Sequence, residues 1–315
     1  MKPPEAGYRV PEDSPRTRLD RFLASQLPEH SRSQIQAWIR RGAVLVNRVQ
    51  VKSGHLVRPG DVIQLQITEP VPALQPQPEN IPLKIIYEDN DLAVIEKPAG
   101  LVCHAGAGVR SGTLVNALLF HLGALQTGDA ERPGIVHRLD KLTSGLMVVA
   151  RNLETHRGLA GQFKRRRVTK EYLALVLGRP RLPAGTINLA LGRDPADRKK
   201  ISVRSRRRRE AVSHYRVESN HGPCTLLRVR IETGRTHQIR VHLAQLGHPV
   251  VGDLLYGGNR FRSLADAGHR EAIRDFDRHF LHAARLEFQH PRTGESLAFT
   301  SPLPPELQRL LELLS

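Results

Sequence analysis

A proline-rich stretch between two well-patterned regions constrains this chain more than any other feature. Five prolines occur within residues 69–82, EPVPALQPQPENIP. Proline lacks a backbone donor and has a fixed φ, so it neither continues a helix nor pairs inside a sheet. We therefore predict a semi-extended linker at residues 70–82 with a separately folded part on either side. Residues 1–16, rich in proline and charge, predict a flexible tail.

Residues 17–69 have the pattern of a small basic domain. Two helices are predicted from apolar faces at helical spacing, formed by Leu19, Phe22, Leu23 and Leu27 and by Ile35, Trp38 and Ile39. The opposite face of the second helix carries Arg32, Arg40 and Arg41. The sequence VLVNRVQV predicts a hairpin around Asn47 and Arg48, although the turn lacks the glycine that tight hairpins prefer. A strand is predicted at residues 62–67.

Residues 83–315 form the larger part, in which strand-like and helix-like runs mix without regular alternation. Helical periodicity occurs at residues 113–122, 152–166, 237–247 and 304–314. Strand-like runs rich in β-branched residues lie between them. This order predicts the α+β class, with an extended mixed β-sheet flanked by helices and loops.

Composition narrows the choice of partners and compartment. Lys and Arg total 48 against 31 Asp and Glu, a net charge of +17. Such an excess points first to nucleic acid and second to an acidic membrane surface. The two cysteines, Cys103 and Cys224, exclude a disulfide framework and a cysteine-built zinc site. The start has no apolar signal core, and the longest uncharged run, residues 111–128, favours a buried helix over a membrane span. We expect a cytoplasmic protein.

The densest polar segment is residues 134–152, GIVHRLDKLTSGLMVVARN. Asp140 lies between two apolar runs and has Arg138 and Lys141 beside it. Neighbouring cations keep a carboxylate ionised even when it is partly buried, and such a carboxylate can act as a nucleophile or general base. The alternative is a turn aspartate that caps the backbone amides of Thr143 or Ser144, which is the more frequent outcome for such a composition.

A second segment, residues 232–258, gathers Arg235, His237, Arg240 and His242 within eight residues. A helix that begins near residue 236 would place residues 237 and 240 on one face. Two arginines beside a buried site can hold a carboxylate or a phosphate, whereas a solvated basic helix end is the alternative. The histidines are five residues apart with no glutamate between them, so a zinc-protease site is excluded.

Blocks of cations mark further candidate contacts to phosphate. One block, directly before the apolar strand that begins at Tyr172, consists of Arg165, Arg166 and Arg167. A second block comprises residues 199–200 and 206–209. Guanidinium clusters neutralise phosphates and make binding salt-dependent. The glycines of residues 96–112 do not have the spacing of a phosphate-binding loop, and Cys103 is predicted to be a small buried residue.

Together these segments resemble the RluA-type pseudouridine synthases. The run HRLDKLTSGL is similar to their signature HRLDxxTSGL, and EKPAGLVCHAG, KEYLALV and GRTHQIRVHLAQLGHPVVGDLLYG resemble their other blocks in the same order. Residues 17–68, with RLDRFL and SRSQIQAWIRRGAVLVN, resemble an S4 RNA-binding domain. The resemblance covers nearly the whole chain after residue 16, and an S4 domain ahead of this catalytic domain is the layout of the branch that acts on large-subunit ribosomal RNA.

The resemblance implies roles for particular residues. Asp140 matches the family's catalytic aspartate, which attacks a flipped uridine at C1′ of the ribose or at C6 of the base. Tyr172 matches the tyrosine that packs against the target base and assists proton removal at C5, and Arg240 matches the arginine that pairs with the catalytic carboxylate. Arg138 matches a residue that helps to fill the stack, and Arg235 and His237 are further candidate RNA contacts. Leu142 departs from the acidic residue that many members have.

The same resemblance implies an isomerase without a metal ion or organic cofactor, acting on specific uridines of large-subunit (23S) rRNA or a pre-ribosomal particle. Two alternatives stay open from the sequence. One is a non-catalytic RNA-binding factor in ribosome assembly, and the other is the same enzyme acting on tRNA. A membrane-surface protein is disfavoured because no amphipathic helix concentrates cations opposite a bulky apolar face.

Overall fold

In a computed structural model, the described residues are 7–28, 30, 32–66, 76–105, 109, 111–128, 132–197 and 199–315. The chain divides into two compact units, residues 1–73 and 74–315. The division falls within the predicted proline-rich linker. Each unit has its own hydrophobic core.

Short strands and two amphipathic helices build the first unit in its described part. Its elements are β1 (Gly7–Arg9), β2 (Thr17–Arg18), α1 (Leu19–Gln26), α2 (Arg32–Arg40), β3 (Val44–Val46), β4 (Val49–Gln50), β5 (Leu56–Val57) and β6 (Val62–Leu65). The strands pair in the order β1-β6-β3-β4, and β2 pairs with β5. The predicted apolar faces of both helices meet in the core, where Leu19, Leu23 and Ile35 are fully buried. The two predicted helices and the hairpin are therefore confirmed.

The prediction of a flexible tail at residues 1–16 is wrong for residues 7–10. Strand β1 pairs with β6, Val10 is buried in the core, and Tyr8 packs against it. The Val10 N–H donates to the Asp61 carbonyl at 2.9 Å. Proline and charge dominate the composition of this stretch. Even so, the side chains of Tyr8 and Val10 pack on the core, and the edge of β6 supplies backbone partners for β1. Residues 1–6 lie outside the described residues.

A buried carboxylate ties the two helices of this unit together. Asp20 is fully buried and accepts hydrogen bonds from Arg18 at 3.0 Å, from Arg32 at 2.8 Å and from Gln36. Burial alone would raise the pKa of Asp20, but the hydrogen bonds from Arg18, Gln36 and Arg32 reverse this and hold it well below its ordinary value. Arg32 thus has a structural partner, whereas Arg40 and Arg41 are exposed.

The second unit consists of a long sheet with helices and loops around it. Its elements are β7 (Lys84–Glu88), β8 (Leu92–Lys97), α3 (Leu114–Leu122), β9 (Ser144–Ala150), α4 (Leu153–Lys164), β10 (Thr169–Leu177), β11 (Ala184–Asn188), β12 (Gly192–Arg193), β13 (Ile201–Ser202), β14 (Val212–His221), β15 (Cys224–Ile231), α5 (Gln238–Gln245), a 3-10 helix (Arg260–Ser263), α6 (Ala267–Arg274), β16 (Leu281–Gln289), β17 (Ser296–Thr300) and α7 (Pro305–Leu314).

The sheet is mixed and extended, as predicted from the sequence. The strand order is β11-β14-β15-β10-β16-β9-β8-β7, with β17 beside β16. Strands β9 and β16 pair in parallel, and the other neighbours pair antiparallel. The parallel contact joins residues 144–145 to residues 282–283. It therefore places the start of β9, which follows the Asp140 segment, in the middle of the sheet beside β16, whose other neighbour is β10.

The described end of the predicted linker, residues 76–82, lies along helix α3. The Asn116 side chain donates to the Gln77 carbonyl at 2.7 Å, and the Glu79 N–H donates to the Asn116 carbonyl at 3.0 Å. Ile81 packs against the main core of the second unit. Helix α3 lies within the long uncharged run, residues 111–128, and most of its residues are buried. Among the described residues, no helix has the length and apolar character needed to cross a membrane.

The hairpin turn between β3 and β4 carries a strained arginine. Asn47 and Arg48 both have left-handed backbone, with φ of 51° and 65°, a conformation that glycine adopts freely. We expect Arg48→Gly to raise the free energy of unfolding of this unit by about 0.5–1 kcal/mol. Urea unfolding followed by the fluorescence of Trp38, the single tryptophan of the chain, measures this unit alone.

Asn47→Gly is the matched control for this prediction. It relieves the same backbone but removes the hydrogen bonds that Asn47 makes to Asp61 at 2.8 Å and to the Val62 N–H at 2.9 Å. We expect it to lower the stability by about 1 kcal/mol. An Arg48→Gly protein no more stable than the parent would show that the turn stores no strain.

Candidate active site

A cleft in the second unit brings together residues from three distant parts of the sequence. The lining comes from the turn before β9, from β10, and from the loop that leads into α5. The residues that line it include Arg138, Asp140, Thr143, Tyr172, Arg235, His237 and Arg240. The two densest motifs of the sequence therefore face each other.

Asp140 and Arg240 form an ion pair across 100 residues of sequence. Arg240 Nη1 donates to Asp140 Oδ2 at 3.2 Å, and the two side chains are 8% and 18% exposed. The interpretation of Asp140 as a capping residue is not what the structure shows: its carboxylate faces Arg240, while the Thr143 N–H donates to the Asp140 backbone carbonyl. The carboxylate is thus free of the turn and presented to the cleft.

A second carboxylate, Asp253, holds Arg240 in place. Arg240 donates from Nε to Oδ2 at 2.6 Å and from Nη2 to Oδ1 at 2.8 Å, a bidentate pair with Asp253 only 1% exposed. Burial would raise the pKa of Asp253, but the hydrogen bonds and charge of Arg240 outweigh it and keep the pKa below its ordinary value. Asp253 was not among the residues predicted from the sequence. Its position in the run GDLLYGG, within the second dense segment, is the feature that could have indicated it.

His237 lies at the N-terminus of α5 and closes one side of the cleft. Its φ of 56° is left-handed, so its side chain leaves the helix axis and Nε2 comes to 3.9 Å from Asp140 Oδ2. Its Nδ1 shares a hydrogen bond of 2.8 Å with the Tyr256 hydroxyl. Burial lowers the pKa of His237, and the charge of Asp140 only partly offsets this, so the imidazole is neutral at neutral pH.

Tyr172 reaches the cleft from β10, where a bulge between Glu171 and Tyr172 shifts the register with β16. It is buried, and burial raises the pKa of its phenol, an effect that the charge of Asp140 increases. The ring is therefore a neutral surface with a protonated hydroxyl. It offers an apolar face beside the carboxylate.

The turn at residues 140–144, called here the Asp140 turn, is held from one side by Lys97. This lysine is fully buried, and its Nζ donates to the carbonyls of Pro98 at 2.7 Å, Leu101 at 2.9 Å and Lys141 at 3.1 Å. Burial lowers the pKa of Lys97 to about 8, so it is still protonated at neutral pH and has a proton for each carbonyl. Cys103 is buried as predicted, and its thiol donates to the Leu139 carbonyl.

The other side of the Asp140 turn is held by two residues just before β16. Arg278 donates to the Leu142 carbonyl at 3.0 Å and to the Ser144 hydroxyl at 3.2 Å. His279 shares a hydrogen bond of 2.8 Å with Thr143 Oγ1, and burial lowers the pKa of His279 to about 4. The backbone position of Asp140 is thus fixed by polar contacts on both sides.

The remaining predicted site residues fall into separate places. Arg138 is exposed at the mouth of the cleft, and Arg235 lines it while its Nε donates to the Glu210 carbonyl at 3.0 Å. Arg165, Arg166 and Arg167 are exposed beyond the end of α4. Of these, Arg166 pairs with Glu210 at 2.5 Å and lies 3.6 Å from Glu232, so part of its charge is already compensated.

His242 has no part in the cleft. It is fully buried, with Nδ1 at 2.9 Å from the Ser213 hydroxyl and Nε2 at 3.0 Å from the Leu189 carbonyl. Its place is therefore in the packing of α5 against the sheet. Of the two histidines in the second dense segment, His237 lies in the cleft and His242 lies in the core.

Asp89, Asp91 and His290 form a cluster whose ligand atoms lie within 4.8 Å of one another. His290 Nδ1 accepts from two backbone N–H groups, at 3.2 and 3.1 Å, so we assign its proton to Nε2, which donates to Asp89 at 3.1 Å. Arg292 pairs with Asp91 at 2.5 Å. The cluster is an ion-pair network that ties the hairpin of β7 and β8 to the end of β16.

Comparisons with known proteins agree with this geometry. A sequence model described as RNA pseudouridylate synthase matches residues 91–245, and the S4 domain model matches residues 17–63. The chain is 44% identical to ribosomal large subunit pseudouridine synthase D of Xanthomonas campestris, over 97% of this chain and 91% of that protein. It is 48% identical to an uncharacterized RNA pseudouridine synthase of Chloroflexus aurantiacus, over 97% and 92%.

A solved structure shares the fold of the second unit. The human RNA pseudouridylate synthase domain containing 1 protein has a TM-score of 0.56 and 29% identity, covering 77% of this chain and 90% of that one.

The buried Lys97 provides a test of how the Asp140 turn is supported. Lys97→Met keeps the length of the side chain but leaves three buried carbonyls without their donor, so we expect the free energy of unfolding to fall by about 3 kcal/mol. Lys84→Met on the neighbouring strand, where the side chain is 65% exposed, should cost less than about 0.5 kcal/mol. Urea unfolding followed by circular dichroism compares the two, and equal losses would contradict the proposed support.

Proposed function

Because the chain belongs to the RNA pseudouridine synthase family, we propose that the uridines it isomerises lie in large-subunit ribosomal RNA and that Asp140 is the nucleophile. The single observation that carries this proposal is the ion pair of Asp140 and Arg240 at 3.2 Å in a cleft that also receives Tyr172. A carboxylate that a fixed cation orients and that has little solvation is a competent nucleophile.

The reaction exchanges one glycosidic bond for another. The N1–C1′ bond of uridine breaks, the uracil turns, and a C5–C1′ bond forms; the hydrogen on C5 leaves as a proton and N1 gains one. Attack of Asp140 at C1′ or at C6 satisfies this balance equally. The carboxylate leaves at the end, so the enzyme is regenerated without any redox step.

We assign the neighbouring residues supporting roles in that reaction. Arg240 orients the carboxylate and balances its charge. Tyr172, which lines the cleft, offers its ring to the detached base. Thr143 belongs to the turn that presents Asp140 and lines the same cleft.

The target base must leave the RNA stack before Asp140 can reach it. Extrusion of a base costs a few kcal/mol, and the positive charge of the protein offsets it through phosphate contacts. We assign the vacated position to Arg138, which is exposed at the mouth of the cleft. Arg165, Arg167 and Arg235 are the cations we assign to the RNA backbone near the second unit.

The S4 unit supplies affinity in this proposal. Its exposed Arg40 and Arg41 meet structured RNA by shape and phosphate contacts, and its tether raises the effective concentration of the catalytic unit on the same RNA. Relatives named ribosomal large subunit pseudouridine synthase D align with 97% of this chain, so the alignments include both units. This is the reason for choosing this substrate and a cytoplasmic site of action.

Asp140→Asn tests the nucleophile. The amide keeps the shape and loses the charge, so we expect single-turnover conversion to fall at least about a thousandfold. The measurement maps pseudouridine across rRNA and tRNA from cells that lack the protein, complemented by the wild type, by Asp140→Asn, or by Asp275→Asn. The last variant changes an exposed aspartate that pairs with Arg274 and should restore the map fully.

The same map separates the competing functions. Sites lost from large-subunit rRNA and restored only by an intact Asp140 support the proposal. Sites lost from tRNA alone would move the substrate to tRNA. Full restoration by Asp140→Asn would refute the nucleophile, and an unchanged map with a defect in subunit assembly would favour the non-catalytic factor.

Arg40→Gln combined with Arg41→Gln tests the role of the S4 unit. Each lost phosphate contact should reduce the slope of log affinity against log salt by about 0.7–0.9, so we expect KM to rise several-fold while kcat is unchanged. Arg274→Gln is the control because its guanidinium is already paired with Asp275 and Glu271. A fall in kcat with unchanged KM would contradict the assignment.

A further inference from the structure

The hydroxyl of Tyr256 joins two elements that the proposed mechanism treats separately. Its oxygen accepts from the Ile201 N–H of β13 at 2.9 Å and shares a hydrogen bond of 2.8 Å with His237 Nδ1. Because the oxygen already accepts from Ile201, we assign the phenol proton to the bond with His237, which places the imidazole proton on Nε2, facing Asp140. One hydroxyl thus links the β12–β13 hairpin to the cleft.

The ring and backbone of Tyr256 contact the same ion pair from another direction. The guanidinium carbon of Arg240 lies 5.1 Å from the ring centroid, a cation–π distance. The backbone N–H groups of Leu255 and Tyr256 donate to Asp253 Oδ1 at 3.1 and 3.2 Å. Asp253 therefore positions both Arg240 and Tyr256. The contacts run from Asp140 through Arg240, Asp253 and Tyr256 to His237, whose Nε2 lies 3.9 Å from Asp140 Oδ2.

The hairpin on the far side of Tyr256 leads into a dense run of arginines. Directly after β13 come exposed arginines, and these are Arg204, Arg206, Arg207, Arg208 and Arg209. The backbone N–H of Leu191 donates to the Arg209 carbonyl, and the N–H of Arg209 donates to the Leu191 carbonyl, both at 2.8 Å. These two bonds close the base of residues 191–209, called here the basic hairpin. Such a run concentrates positive charge where an RNA backbone would be met.

We propose that Tyr256 is a positioning residue that couples RNA contact by the basic hairpin to the alignment of Asp140. Phosphates held by the hairpin arginines fix Ile201, the Tyr256 hydroxyl carries that constraint to His237, and His237 orients the carboxylate. The inference rests on the proposed function and deepens it, since it makes the rate of the chemical step depend on occupancy of the hairpin.

A double-mutant cycle tests this coupling. Tyr256→Phe keeps the ring over Arg240 and removes only the hydroxyl, while Arg206→Gln with Arg207→Gln removes hairpin charge. The substrate is total RNA from cells that lack the protein, labelled with tritium at C5 of uridine, so that any RNA class is represented. Single-turnover tritium release at saturating enzyme gives the chemical rate, and filter binding gives RNA affinity.

We expect each change alone to slow tritium release about tenfold, the size of one hydrogen bond. In the Tyr256→Phe background the hairpin change should weaken RNA binding as before but slow release by less than twofold more, because the link is already broken. Tyr87→Phe is the matched control: it removes a hydroxyl that donates to Asp89 at 2.8 Å, and it should leave the rate and the affinity unchanged. Thermal unfolding of each variant verifies the fold.

The outcomes are distinct. Rates that multiply to about a hundredfold loss in the combined variant would overturn the coupling, as would a Tyr256→Phe rate equal to that of Tyr87→Phe. Absence of tritium release by the wild type would refute the proposed function itself. An active wild type with multiplying losses refutes the coupling alone.

Discussion

The site depends on the unequal sharing of one guanidinium between two carboxylates. Arg240 gives Asp253 two short hydrogen bonds, at 2.6 and 2.8 Å, and gives Asp140 one longer bond of 3.2 Å. A buried guanidinium needs a counter-charge, and Asp253 supplies it. Asp140 is then aligned by Arg240 without being neutralised by it, which is the condition a carboxylate must meet to remain nucleophilic.

That arrangement requires the backbone of Asp140 to be held to within a few tenths of an ångström, and the fold supplies this from both sides of the turn. The parallel contact between β9 and β16 brings Arg278 and His279 next to the turn, and Lys97 reaches it from the end of β8. Each of these buried polar groups destabilises the fold unless it is paired. Because they are hydrogen-bonded to the turn, they hold it in a geometry that does not need to reorganise when the reaction begins.

The sequence predicted the elements that have strong periodicity and missed those that depend on partners. Helices α3, α4, α5 and α7 and the central strands follow from their apolar spacing. Strands β1 and β17 are edge strands whose short pattern gains meaning only beside β6 and β16. In the site, Asp140 and Arg240 stood out because charge was dense around them. Asp253 has an apolar neighbourhood in the sequence, and Lys97 and Tyr256 make contacts to distant segments. Composition cannot indicate such contacts, because the sequence does not distinguish a buried lysine from an exposed one.

The distribution of positive charge fits an enzyme that extracts a single base. Only 4% of the residues are aromatic, too few for a long stacking platform, so the free energy for extrusion must come from phosphates. The phosphate contacts are useful to catalysis only if their free energy reaches the reacting groups, because binding that is equal in ground and transition states leaves kcat unchanged. The proposed coupling from the basic hairpin to the carboxylate meets this requirement. In it, a neutral His237, bonded to Tyr256 and with Nε2 at 3.9 Å from Asp140 Oδ2, adds no charge that would compete with Arg240.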